Sequence, residues 1–377
     1  MRILALYLFV LAAPAWGAFG YNRTITVQAG QVSSGPHSNF PMLVSGTYSY
    51  LATVANGGKV QNASGYDIGF YSNSDCATGK LHWETELYTA TTGAVVYWVE
   101  VASIDTGSVI YMCYGDASIT TDQSNKTGVW DSNYLAVIHF PNGSTLTGSD
   151  STSNNHTVNL VNSPTADAGK IDGAAHFDNV NQHATITSAS TLDTPTAQTV
   201  SIWMKSDTSS QAGNDTFINR RNSAGPPYNT WMLAAGSLGT SYEYCIAADG
   251  GGGPDNGQYC INQGTLDTNW HYLVGTYDQG TTTQRLYRDS GTAVVSDTAV
   301  NITIDNDAIA VRIATPTASG NYFDGIIDEV RISNIARSGA WIQTEYNNQN
   351  APGTFYTVGS ENVLITARQI RRMIRWQ

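Results

Sequence analysis

Short apolar segments, each closed by Gly, Asn or Asp, follow one another along most of this chain. The clearest is Tyr322-Phe323-Asp324-Gly325-Ile326-Ile327-Asp328-Glu329-Val330-Arg331-Ile332-Ser333. Asp324-Gly325 supplies turn chemistry, and the β-branched residues after it read as a strand. Strict alternation puts Ile326, Asp328, Val330 and Ile332 on one face and Ile327, Glu329 and Arg331 on the other. One acid, Asp328, is thereby interleaved with residues that should be buried. A buried carboxylate is costly without a partner. A metal ion, backbone N–H groups or a cation would serve.

The same punctuation governs the rest. Tyr21–Val27, Phe40–Val44, Leu81–Tyr88, Ala94–Val101 and Val109–Tyr114 read as strands, with turns at Asn56-Gly57-Gly58, Thr92-Gly93 and Asp105-Thr106-Gly107. Short strands at this spacing, without helical periodicity, imply a β-sandwich. With 377 residues the chain has room for two such modules. Only 13% of residues are charged, while 21 Tyr and 36 Gly fit an extracellular β protein of many turns. The net charge of −12 argues against a nucleic-acid partner, which would need clustered Lys and Arg. Most acids are Asp, which suits turns and oxygen-ligand metal sites.

Residues 1–17 have the form of a signal peptide: Arg2, an apolar run from Ile3 to Ala13, and small residues in Ala15-Trp16-Gly17. The run is too short to span a bilayer, and no later stretch is long enough. The expectation is a secreted, extracellular or cell-surface protein. Four cysteines fit that oxidising setting. Cys245 and Cys260 occupy mirrored Tyr-Cys-Ile contexts around a glycine-rich tip, so a stapled hairpin is expected, leaving Cys76 to pair with Cys113. The lack of Cys-x-x-Cys spacing argues against a zinc site built on these cysteines.

Two resemblances follow from ordered motifs. Gly65-Tyr66-Asp67-Ile68-Gly69-Phe70, Lys80-Leu81-His82-Trp83-Glu84-Thr85-Glu86, Thr92 to Val99 and Val109 to Asp116 resemble the β module called domain of unknown function 2341, over about residues 20–120. Cys113 replaces an aromatic of that family's usual ending, and Cys76 stands in the preceding loop, which supports their pairing. The family brings no activity. The second series includes Leu135 to Phe140, Gly169 to Asp178, Val200 to Lys205, Asn269 to Asp278, Gln284 to Gly291 and the Phe323–Ile332 stretch. It resembles laminin-G-like, concanavalin A-like jelly rolls, over about residues 128–360. That resemblance implies two packed antiparallel sheets whose first and last strands are adjacent, with Thr354–Gly359 as the candidate last strand.

The expected fold is therefore all-β, two sandwiches in tandem: a module over 18–122, a jelly roll over 128–360, and a basic tail over 361–377. One short C-terminal helix is expected over Ala336–Asn347, with Trp341, Ile342 and Tyr346 as its apolar stripe. The tail's Arg368, Arg371, Arg372 and Arg375 read as a frayed terminus or an anchor to an anionic surface.

Three chemistries are candidates. Related jelly rolls ligate a structural calcium through the Asp of a late Asp-x-Val strand; the matching residue is Asp328, with Asp150 as a second ligand. A hydrogen-bonded Asp328 without metal is the competing reading. Sugar recognition by an aromatic platform points to Trp231, Tyr228 and Tyr242 near the glycine-rich tip, against core packing for the same residues. Glycoside hydrolysis needs paired carboxyls. Glu84 and Glu86 share a strand face, but Leu81, Trp83 and Leu87 claim the other as core, so the pair is expected in solvent. The second module has no clustered Glu-x-Asp-x-Glu motif, and the chain holds only seven Glu, so an enzyme is not expected. The expected function is binding or adhesion toward a glycan or cell-surface polymer. A structural part, such as a viral fibre or surface-layer component, is the alternative, and an unusual glycosidase the third. Oligomeric state is open.

Overall fold

The computed structural model describes residues 19–141, 145–211, 215–221, 230–236, 238–248, 258–304, 309–315 and 322–364. The anticipated signal peptide, Tyr228, the glycine-rich tip and the four tail arginines lie outside these residues. The described fold is all-β, and every strand pair named here is antiparallel.

The first sandwich has a three-stranded sheet in the order His37–Thr47, Ala94–Ile104, Trp83–Thr89. It packs on a sheet ordered Tyr356–Val358, Tyr21–Val27, Val109–Tyr114, Ile68–Tyr71. Alternation sends Phe40, Met42, Val44, Val95, Tyr97 and Val99 into its core. Leu43, Val96 and Trp98 point the other way, yet they too are buried, against Val129, Trp130, Tyr134 and Val137 at the entry to the second sandwich. A sheet covered on both faces is what joins the two halves.

The second sandwich is a two-sheet jelly roll. One sheet runs Ala293–Asp297, Thr283–Arg288, Trp270–Asp278, Ala197–Ser206, Asp324–Ser333, Gly173–Asp178, Thr165–Ala168, and Tyr134–Ile138 also pairs with Asp324–Ser333. The other runs Gln258–Gln263, Tyr242–Ala247, Trp231–Ala235, Thr216–Arg220, Val311–Ile313, His183–Ile186, Val158–Val161. Their inner faces share one apolar core that includes Val200, Ile202, Met204, Leu233, Leu273 and Ile327. Gly325 lies within a strand rather than a turn. Its φ is +149°, and a Cβ there would stand 2.3 Å from the Lys205 carbonyl oxygen, so only glycine lets the neighbouring strand approach.

Two expectations change at the C-terminal end. The jelly roll's first strand closes on Asp324–Ser333, with Val137 opposite Arg331. Tyr356–Val358 instead pairs with Tyr21–Val27, and Asn362–Val363 pairs with the other end of that strand. Glu361 fixes the return by ion pairs to Arg23 and Lys59 and a hydrogen bond from Tyr114. The sequence pattern of a strand does not say which sheet edge it will meet, and this one completes the first sandwich.

The helix spans Gly339–Asn350, with the Ser338 hydroxyl accepting from the Trp341 N–H as its N-cap. Its apolar residues do not form one stripe. Trp341 enters the first sandwich against Phe40, with centroids 5.1 Å apart. Ile342 and Tyr346 pack on Trp203 and Tyr272 of the second. The Asn348 amide bonds both the N–H and the carbonyl of Leu43, like an added strand residue, while Gln349 accepts from the Trp203 indole. The helix is thus wedged between the sandwiches and bonded to both.

Candidate functional site

A one-residue bulge creates the most unusual cluster in the molecule. On Ala197–Ser206, Ser201 and Trp203 are two apart, but their partners Arg331 and Asp328 are three apart. Glu329 takes up the extra residue with a φ of +52°, in the left-handed region that costs a non-glycine residue. The bulge resets the alternation. Ile327, Val330 and Ile332 face the jelly-roll core, whereas Asp328, Glu329 and Arg331 all lie on the side toward the first sandwich. The strict two-face reading of this strand is therefore corrected.

Three acids meet His139, which follows the strand Tyr134–Ile138. Its Nδ1 is 2.7 Å from Glu329 Oε1 and 3.7 Å from Glu86 Oε2, and its Nε2 is 3.3 Å from Glu84 Oε2. Glu84 accepts from Ser151 Oγ and from the Trp130 indole at 2.9 Å. Glu86 accepts from the Trp98 indole at 2.8 Å. Arg331 bridges Glu329 at 2.7 Å and Glu345 of the helix at 3.1 Å. Its guanidinium also stacks 4.4 Å from the Trp98 ring centre and 5.0 Å from that of Trp130. Tyr134 and Tyr272 donate to Glu345. Glu84 and Glu86 are thus not solvent-facing, as alternation within their own module suggests. They are closed in by the second sandwich, a contact no local pattern announces.

Proximity sets the charge states. Burial alone would lower the His139 pKa, but Glu329, Glu84 and Glu86 outweigh it and hold the imidazole well above its ordinary value. Burial pushes Glu86 and Asp328 well up, and neighbouring Glu329 adds to both. Burial also opposes ionisation of Glu84, but His139 and the Ser151 and Trp130 donors bring its pKa below the usual value. Arg331 is raised against burial by Glu329 and Glu345.

The anticipated metal and sugar residues fare differently. Asp328 is fully buried; one oxygen accepts from the Ile171 N–H at 2.9 Å and the other has no hydrogen-bond partner. Asp150 accepts from the Val137, Thr152 and His156 N–H groups, the Thr152 hydroxyl and His156 Nδ1. A carboxylate offers about four lone-pair sites, so Asp150 has no capacity left for calcium. The Asp328–Asp150 calcium set does not fit these residues. Trp231 is a core residue, 0% exposed, because Trp231, Leu233 and Ala235 point inward on their strand. Tyr242 also points inward, edge-on to His271 with centroids 5.5 Å apart, and burial pushes its hydroxyl to about 12. Neither belongs to an exposed platform. The sulfurs pair Cys76 with Cys113 and Cys245 with Cys260. Glu243 lies near the second pair, but bonded sulfurs offer no thiolate to a metal.

An open groove of about 570 Å³ lies where the hairpin Thr283–Arg288 and Ala293–Asp297 meets the turn into the helix. Asp278, Arg285, Tyr287, Thr292 and Arg337 line it. Arg337 is held over Tyr134 and Trp341, with an ion pair to Asp131 at 3.4 Å. Arg285 is half-buried and makes no ion pair among the described residues. Neither arginine carries a sequence signal; Arg337 reaches the groove through packing between the sandwiches.

Residues 177–343 match the family model of the concanavalin A-like lectin/glucanases superfamily. That jelly roll is the fold just described. Among solved structures, the binding domain of botulinum neurotoxin serotype G is 12% identical, with a TM-score of 0.45, covering 57% of this chain and 50% of that one. The binding domain of Paraclostridial mosquitocidal protein 1 is 12% identical, with a TM-score of 0.44, covering 57% and 52%. In both, the match takes in about half of the other chain, and nothing about a ligand follows from likeness at that level. Comparison with curated proteins gives no match. No helix among the described residues is long and apolar enough to cross a membrane, and the two disulfides fit an extracellular setting.

Proposed function

We propose that this is a secreted or surface-displayed binding protein of the adhesion type, whose jelly roll takes a carbohydrate or surface polymer in the groove beside Arg285. The groove carries the reading: it is open, set beside a strand hairpin, and has polar side chains placed on a largely apolar wall. A guanidinium, a carboxylate and a tyrosine edge there suit the hydroxyls of a sugar. Hydrolysis is disfavoured because Glu84 and Glu86 are closed into the joint and already held by Trp130, Ser151 and Trp98. Residues 20–120, completed by the returning segment 355–363, are taken as a sandwich of the domain of unknown function 2341 type that serves as a platform for the jelly roll.

Glycan-array binding of the full chain tests this. Binding to a defined glycan class is expected, weakened at least about tenfold by Arg285→Ala, the loss of one charge-assisted hydrogen bond. Absence of glycan binding, or binding indifferent to Arg285→Ala, would overturn it. A structural reading, such as a fibre or surface-layer part, is favoured by one observation: the helix and joint fix two sandwiches into a single bonded unit. Defined oligomers or filaments under electron microscopy, without glycan binding, would select it.

A further inference from the structure

The joint carries more acid than its cations neutralise. Among the described residues, the ion pairs of Glu84, Glu86, Glu329 and Glu345 run to His139 and Arg331, Asp328 adds a further acid, and Arg331 is already engaged by Glu329 and Glu345. Two oxygens there, Glu86 Oε1 and Asp328 Oδ1, are buried without a hydrogen-bond partner. The Glu86 side chain is 1% exposed and that of Glu329 0%. Buried carboxylate oxygens left in this state are costly.

We propose that Glu86, His139 and Glu329 form a binding site for one divalent transition-metal ion of the zinc class. Their donor atoms lie within 4.8 Å of one another. Zinc sits about 2.0–2.2 Å from such nitrogens and oxygens, so the site closes on an ion with small side-chain shifts. Each donor is already aimed from behind. Glu84 faces the other nitrogen of His139, Arg331 holds the second oxygen of Glu329, and the Trp98 indole holds Glu86. Hydrogen bonds of this kind orient the ligands of metal sites and fix the histidine tautomer. The free oxygen of Glu86 supplies a fourth donor. Zinc takes a bare His139 Nδ1 and ionised carboxylates, so the protons held at those ligand atoms leave to solvent as the two positive charges enter. One imidazole with a few carboxylates suits zinc better than calcium, which takes six to eight oxygens. The ion ties Glu86 of the first sandwich to His139 and Glu329 of the second, and it is independent of the groove.

The test uses the full chain, disulfides intact, stripped with chelator. It is loaded with Zn2+ in mild urea, so that the joint can open, and then diluted into buffer. Native mass spectrometry is expected to show one retained zinc per chain, with a higher Tm than the stripped protein. Glu86→Gln removes a buried acid without removing volume. It is expected to fold, with a zinc-free Tm no lower than wild type, and to lose both the ion and the zinc-dependent rise. Half-buried His176, near Asp167 and Asp207, is the obvious adventitious site, so His176→Ala is expected to keep the retained ion. No retained zinc in wild type, retention unaffected by Glu86→Gln, retention lost in His176→Ala, or an equal Tm rise with Ca2+ would each overturn the proposal.

Discussion

The jelly-roll core and the joint between the sandwiches are both closed to water, but they are made of opposite materials. The core is a continuous set of Ile, Val, Leu, Phe and inward-facing aromatics drawn from two sheets. The joint is a ring of carboxylates around His139 and Arg331, boxed by Trp98 and Trp130. Apolar packing is non-directional, so the loss of one methyl is shared among neighbours. Buried ion pairs are directional, and removing one member strands the others. The core therefore supplies generic stability, and the joint specifies how two such units sit together.

That contrast can be broken in three steps. Arg331→Leu should have the largest effect, about 3–5 kcal/mol in urea unfolding, because Glu329 and Glu345 are left buried without their cation. Adding Glu345→Gln should return part of the loss, with a coupling of about 0.5–3 kcal/mol; strict additivity would show that the pair does not act as a unit. Ile202→Val, deep in the core, should cost only about 0.5–1.5 kcal/mol. A cost equal to that of Arg331→Leu would erase the distinction. The smallest effect concerns pH. His271, buried, is raised above 6.5 by Asp289 and Asp267 despite that burial. A raised folded pKa contributes stability that is complete below the unfolded value and lost as pH rises through the folded one. Wild type should therefore lose a little stability from pH 6.5 upward relative to His271→Asn. Parallel pH profiles would sink that assignment.

The parts legible in the sequence are those governed by local rules. Alternation places Val200, Ile202 and Met204 in the jelly-roll core, and the mirrored Tyr-Cys-Ile contexts locate the Cys245–Cys260 staple. What escapes is set by contacts between distant segments. A left-handed glutamate gives no warning of a bulge, as a glycine would. The faces of Glu84 and Trp98 look like solvent faces until another sandwich covers them. Trp231 stands in an aromatic-rich region that resembles a platform, but the inward phase of its strand decides otherwise.

The return of Tyr356–Val358 and Asn362–Val363 to the strand Tyr21–Val27 makes the second sandwich an insertion within the first. A ribosome releasing this chain would hold the first unit unfinished until residues 356–363 emerged, long after its other strands. Until then Tyr21–Val27 has an unpaired edge, and the pocket for Trp341 and Phe355 has no filling. A truncation at the connector near residue 122 should accordingly yield an aggregating fragment rather than a free-standing domain, whereas a fragment covering only the jelly roll has its sheet partners within reach.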